Sequence, residues 1–261
     1  MLNTPTFVDV HCHISLYENP RIIVQSANKY SVSQIISVSN DLTTSIITEK
    51  LAKSFAEIIP AFGIHPDYSS SWKTEIGDIS SLVKKRGFIG EIGLDHSLPH
   101  NKESLKSQLD AFEAQLRIAE VSHCTINVHS RRAEKTVLEA ISSHKIRNVI
   151  MHWYTGPLNL LSKFVDINCF FSWGPQAIRS KHVQQLIRRA GEDVLLTESD
   201  GPFSYKGILG DPTQIPNLVH DFALLLHKSE EYIKEAIWKN FQSLFQSNRS
   251  KKQQKKLTDF F

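Results

Sequence analysis

Cysteine is scarce in this 261-residue chain, which has only Cys12, Cys124 and Cys169. An odd number of widely spaced cysteines in apolar, strand-like runs argues against a disulfide framework and predicts buried free thiols. Free thiols favour a reducing compartment: the cytoplasm, or the nucleus in a eukaryotic source. No apolar run is long enough to span a membrane. No basic segment followed by an apolar one opens the chain, so no signal peptide is expected. Charge of one sign is also lacking, with 30 Lys and Arg against 27 Asp and Glu and a formal net charge of +3. That balance names no partner. No Gly-x-Gly-x-x-Gly follows the first strand-like run, which counts against an open, dinucleotide-binding sheet. No repeat of solenoid period occurs.

What the chain does have is alternation. Apolar, β-branched runs at 7–13, 34–40, 57–66, 87–95, 123–130, 148–154, 166–173 and 193–202 are separated by helical stretches. Asp41 reads as the N-cap of a helix over 42–55. Leu105, Leu109, Phe112, Leu116 and Ala119 form an apolar stripe at helical spacing. Several of the strands are apolar on both faces, as buried parallel strands are. Eight strands alternating with helices predict a (β/α)8 TIM barrel, a single α/β domain over 1–246. An open doubly wound sheet is the alternative.

Twelve histidines is many for this length, and six follow or end apolar runs. In the first run, Asp9, His11 and His13 should share one face of the strand, with Cys12 on the other. In a barrel of this type, active sites lie at the C-terminal ends of the strands. His11, His13, His65, Glu91, Asp95, His129, His152, Glu198 and Asp200 all fall there. Imidazole and carboxylate together suit zinc, manganese, iron, or magnesium with retained waters, and two divalent ions, Mg, Mn or Zn, are expected. Glu91, mid-cluster and with two oxygens, is placed to bridge two ions. Two bridged ions would suit attack on a phosphodiester. Asp200 is placed to bind metal and to orient or deprotonate the attacking water. Asp9 and Glu198 are expected to hydrogen-bond the outer nitrogens of ligating histidines.

The segments Asp9-Val-His-Cys-His13, Gly63-Ile-His-Pro66, Ile89-Gly-Glu-Ile-Gly-Leu-Asp95, Val128-His-Ser-Arg131, Met151-His152 and Leu196-Thr-Glu-Ser-Asp-Gly-Pro202 resemble, in order and spacing, the TatD-type metal-dependent deoxyribonucleases. The resemblance covers about residues 6 to 246. It implies a TIM barrel of the amidohydrolase-like group with a dinuclear centre and DNase activity, often 3′-5′ on single-stranded DNA. By matching motifs it implies that His11, His13, Glu91 and Asp200 hold one metal, that Glu91, His129 and His152 hold the other, and that His65 contacts a substrate phosphate. The chain departs from the family pattern at Trp153-Tyr154-Thr155-Gly156, where Cys-Phe-Ser-Gly is usual. It departs again at Arg132-Ala133 after His-Ser-Arg, and at Leu209-Gly-Asp-Pro212. None of these removes an expected ligand, but they bear on substrate preference. Trp153, Tyr154 and Trp173 are candidates for stacking bases, and Arg131 and Arg132 for binding phosphate.

Beyond the barrel, residues 247–261 turn polar and basic, as a flexible arm does. Gln254, Leu257, Phe260 and Phe261 match the Gln-x-x-Leu-x-x-Phe-Phe pattern of peptides that bind sliding clamps of the PCNA type. The leading expectation is a DNase of DNA repair or processing. Alternatives are a metal-dependent deacylase of an aminoacyl-tRNA or small ester or amide, and a non-catalytic scaffold in a DNA-processing or defence complex.

Overall fold

The computed structural model describes residues 4–97, 101–146 and 148–245. Gln254, Leu257, Phe260 and Phe261 lie outside the described residues. Eight parallel strands form the barrel: β1 (Phe7–Cys12), β2 (Val32–Val38), β3 (Ile58–Ala61), β4 (Phe88–Gly93), β5 (Thr125–His129), β6 (Val149–His152), β7 (Cys169–Trp173) and β8 (Leu195–Thr197). β1–β3 pair in one run and β4–β8 in another. A parallel bridge between Phe62 and Ile89 joins the two runs. The barrel closes through hydrogen bonds from Thr197 Oγ1 to Val8 O at 2.6 Å, and from the Asp200 N–H to His11 O at 3.0 Å and the His13 N–H to Gly201 O at 2.8 Å. The last two closing bonds are made by the chemistry-bearing residues of the two strand ends themselves.

The strands are continuous apolar runs because both faces are covered. Ile35, Ile36 and Val38 are all buried on successive and alternate positions of β2, which only a sheet with side chains inside and helices outside allows. Around it lie α1 (Pro20–Lys29), α2 (Leu42–Ser54), α3 (Trp72–Arg86), α4 (Lys102–Ser122), α5 (Glu134–Ser142), α6 (Leu158–Asp166), α7 (Lys181–Ala190), α8 (Ile215–Leu226) and α9 (Glu230–Ser243). Asp41 caps α2, accepting from the Thr44 N–H at 2.7 Å as part of a capping box. The three cysteines are buried free thiols. No helix among the described residues is long and apolar enough to cross a membrane.

Two details differ from the sequence reading. First, α4 buries Gln108, Ala111, Phe112, Gln115, Leu116 and Ala119, while Leu109 is 38% exposed. The helix is turned so that two amides serve the strand ends. Gln115 accepts from the Ile64 N–H at 2.7 Å and donates to Ile64 O at 3.1 Å. Gln108 accepts from the Asp95 N–H at 3.0 Å. Buried backbone groups beyond a strand end must find partners, and that requirement outweighs one leucine. Second, the segment after β8 carries a short antiparallel hairpin, β9 (Ser204–Tyr205) and β10 (Ile208–Leu209), which no alternation announces.

Gln115→Leu should lower stability by about 2–4 kcal/mol, because it strands two buried backbone groups beside His65. The apolar-stripe reading predicts stabilisation instead. Urea unfolding of the variant decides the sign.

Candidate metal centre

All the predicted ligands converge on one chamber at the C-terminal ends of the strands. Glu91, in the middle of β4, divides its carboxylate. Oε2 lies 3.4 Å from His11 Nε2 and 3.2 Å from His13 Nε2. Oε1 lies 2.7 Å from His129 Nδ1, 3.6 Å from His65 Nε2 and 3.8 Å from His152 Nε2. Asp200 Oδ1 joins the first set, at 3.6 Å from both His11 Nε2 and His13 Nε2. It also lies 4.0 Å from His152 Nε2.

The first set has the dimensions of a coordination shell. The two imidazole nitrogens of His11 and His13 face each other at 3.3 Å, and each lies 3.2–3.6 Å from the Glu91 and Asp200 oxygens. Four ligands placed tetrahedrally at about 2.0–2.1 Å from one ion would be about 3.3–3.4 Å apart. His11, His13 and Glu91 form one group able to hold an ion. His65, Glu91 and His129 form another, and His11, His152 and Glu198 a third.

Outer hydrogen bonds aim these rings. Asn127 donates through Nδ2 to Val10 O and accepts through Oδ1 from His11 Nδ1, both at 2.8 Å. With Nδ1 donating to that amide oxygen, His11 presents Nε2 to the chamber. His152 Nδ1 donates to Glu198 Oε2 at 2.8 Å, as expected for Glu198. His129 Nε2 donates to Asp95 Oδ2 at 2.9 Å, leaving Nδ1 for the chamber. Such partners set tautomer and ring orientation in metal sites. Close approach of β4 to β5 makes this arrangement possible. A Cβ on Gly90 would come within 2.7 Å of Asn127 Cβ, and one on Gly93, whose φ is +139°, within 1.9 Å of His129 O.

Electrostatics point the same way. Asp9, Glu91, Asp95, Glu198 and Asp200 are each at most 6% exposed. Among the described residues, every ion pair of Glu91, Asp95, Glu198 and Asp200 is with histidine. Buried charge without a counter-charge is costly. Burial opposes protonation of the rings, yet Glu91 and Asp200 raise His11 to about 9, and Asp95 and Glu91 raise His129 to about 10. Burial pushes Asp200 up to about 6, with Glu91 and Glu198 adding to it against His152 and His11. Burial by contrast lowers His13 and His65 to about 4, so the carboxylates draw positive charge onto some rings while others stay neutral, and the donor set of imidazoles and carboxylates fits divalent ions.

Some expected roles are corrected. Among the described residues, Asp9 makes no hydrogen bond to a histidine ring. Its Oδ1 accepts from the backbone N–H of His11 at 3.2 Å and of Ser199 at 3.0 Å, so it pins β1 to the segment after β8. Asn127 does the work expected of Asp9. Its signal was present in Ile126-Asn127-Val128-His129, where strand alternation puts the asparagine on the histidine's face. Tyr154 and Trp173 are fully buried and cannot stack a base. Tyr154 packs on Phe164 and Phe171, with its hydroxyl donating to Pro157 O at 2.9 Å. Trp173 stacks on Phe171 and donates from Nε1 to Tyr154 O at 2.7 Å. An aromatic core behind β6 and β7 claims both rings.

Trp153, Arg131 and His65 do line the open cleft above the chamber, a cavity of about 820 Å³. Arg132 is exposed but lies outside that lining. Trp153 is held by its backbone N–H, which donates to Glu198 Oε1 at 3.1 Å. Trp153 at φ +39° and Asp200 at φ +52° occupy the left-handed region, which is uncommon for such residues and clusters at functional sites.

Residues 8–246 match the family described as TatD related DNase. An uncharacterized metal-dependent hydrolase of Methanocaldococcus jannaschii is 26% identical over 90% of this chain and 94% of its own length. The 3′-5′ ssDNA/RNA exonuclease TatD of Citrobacter koseri is 28% identical over 69% of this chain and 72% of its own length. The crystal structure of YJJV, a TatD homolog from Escherichia coli K12, superposes with a TM-score of 0.83 at 22% identity, covering 92% of this chain and 97% of that one. With its barrel, its ligand-bearing strand ends and a family match over nearly its whole length, the chain belongs to the TatD-related DNase family of metal-dependent hydrolases.

Proposed function

We propose that this protein is a metal-dependent nuclease that hydrolyses phosphodiester bonds of single-stranded DNA, from the 3′ end, in DNA processing or repair. The observation that carries this is the divided carboxylate of Glu91, with one oxygen facing each of two sets of inward-pointing nitrogens. His11, His13, Glu91 and Asp200 would hold one divalent ion; Glu91, His129 and His152 would hold a second. Two bound ions supply stabilisation of the attacking and leaving oxygens of an in-line displacement. The name of the Citrobacter relative supports the substrate and polarity.

The chain's own residues divide the remaining work. Asp200, at the end of β8, borders both sets of nitrogens and can take a proton from a water aimed at the scissile phosphate. His65, tied by Nδ1 to the Asp67 N–H at 3.2 Å, turns Nε2 into the chamber toward a phosphate oxygen. Arg131, on the cleft wall, neutralises a neighbouring phosphate. Trp153 offers its ring beside His152, with centroids 6.1 Å apart. The buried free thiols favour a reducing compartment.

The sequence of the arm over 247–261 supports a separate proposal, docking on a sliding clamp of the PCNA type through Gln254, Leu257, Phe260 and Phe261.

End-labelled single- and double-stranded DNA, incubated with Mg, Mn or Zn, tests the main reading. Wild type should cleave, a chelator should stop it, and Glu91→Ala should be inert. Stable binding without cleavage under every metal would sink the nuclease. Asp200→Asn should lower kcat by roughly 10²–10⁴-fold, the usual worth of a general base. Asn127→Ala should weaken divalent-ion affinity roughly 10–100-fold, read by calorimetric titration, because His11 loses the partner that aims it. Phe260→Ala combined with Phe261→Ala should abolish clamp pull-down. Unchanged capture would remove the docking proposal.

A further inference from the structure

The hairpin β9–β10 has no role in the centre as described, yet it stands at its rim. Phe203 and Tyr205 are 46% and 44% exposed, so both rings are open to a ligand in the cleft. Both line the cleft that holds Glu91 and Asp200, as does Lys206. The Phe203 ring meets the His13 ring edge-on, with centroids 5.0 Å apart. Tyr205 meets Trp153 edge-on at 5.7 Å, and Trp153 in turn stands beside His152. One aromatic thus flanks a histidine of each half of the centre. Lys206, with Nζ 5.2 Å from the Tyr205 centroid, brings a positive charge to the same rim.

The backbone that carries these rings is tied down. The Phe203 N–H donates to Asp200 O at 3.0 Å, and the Gly210 N–H to Phe203 O at 2.8 Å. The Tyr17 hydroxyl donates to Gly210 O at 3.0 Å. Lys206 and Gly207 both have positive φ, +50° and +78°, as a tight two-residue hairpin turn requires. The platform is therefore fixed through a few residues to Asp200 itself.

We infer that Phe203 and Tyr205, with Trp153, form a nucleobase-stacking wall that grips unpaired bases on either side of the scissile phosphate. The inference rests on the nuclease reading and deepens it. Aromatic faces accept any base but only when it is unpaired. The hairpin would thereby select single strands and frayed ends over paired duplex by stacking, while Lys206, Arg131 and Arg179 on the same cleft follow the backbone charge. Phe203 adjoins His13 directly, and Tyr205 is one ring removed from His152 through Trp153, so the wall would act on bases near the cut and not on distant ones.

The test compares a short single-stranded oligothymidylate with an otherwise identical strand whose bases flanking the cut are replaced by abasic sites. Wild-type kcat/KM should favour the base-bearing strand, and in Tyr205→Ala that preference should fall roughly tenfold, the worth of one base–aromatic stack. Tyr205→Trp should keep it, which shows that the ring and not the hydroxyl matters. An unchanged preference in Tyr205→Ala, or an equal loss in Tyr205→Trp, overturns the wall. Fluorescence anisotropy of the same two strands reads the preference without cleavage. If wild type cleaves neither strand with any divalent ion, the nuclease reading fails, while the anisotropy comparison still decides the wall by itself.

Discussion

The carboxylate of Glu91 is the point on which the rest of the site turns. It is buried on a strand between two glycines close to it, and its oxygens face opposite sets of nitrogens. Burial raises the energy of its charge, but His65, His11 and His129 around it hold its pKa well below the ordinary value. A charged group so enclosed requires positive charge beside it. Without Lys or Arg partners among the described residues, only protonated imidazole or bound cations supply it. The stability of the barrel's upper end and its chemistry thus share one electrostatic demand.

That demand propagates outward through directed hydrogen bonds. Asn127, Glu198 and Asp95 each take one ring nitrogen, so the other is presented inward. Glu198 does so while also accepting the Trp153 N–H, which couples the orientation of His152 to that of an aromatic on the cleft wall. Asp9 works a layer further out, tying the backbone at His11 to that at Ser199 where the first and last strands meet. The seam that closes the barrel is therefore also a wall of the centre. The Asp200 N–H bonds His11 O across the seam, and the His13 N–H bonds Gly201 O, which brings His11, His13 and Asp200 together.

The helices contribute to the site as well as to the core. Gln115 and Gln108 of α4 reach past the strand ends to secure the backbone at Ile64 and Asp95, next to His65 and within reach of His129. Function has taken two core-facing positions of an amphipathic helix from apolar residues. Leu109, on the same helix, is 38% exposed.

Much of this was legible in the chain. Alternation of apolar runs with helical stretches specifies a barrel, because parallel strands buried on both faces admit few other arrangements. The ligand residues sit at strand ends, where the barrel rule places reactive groups, so His11, His13, Glu91, His129, His152 and Asp200 could be grouped before any distance was known. Local sequence could not separate ring-aiming residues from backbone pins. Asp9 and Asn127 are both polar residues at the same face of a strand, and only the placement of β5 across the barrel interior from β1 decides which one reaches the His11 ring. Nor could it tell Trp153 from Tyr154. They are neighbours of the same type, but the chain turns at Trp153, where φ is positive, and sends one ring to the cleft and the other into the core. Residue types and spacings determine what chemistry the chain can assemble. Tertiary contacts between strands far apart in sequence decide which atoms face it, because hydrogen-bond reach is short and direction is set by the neighbour, not by the residue itself.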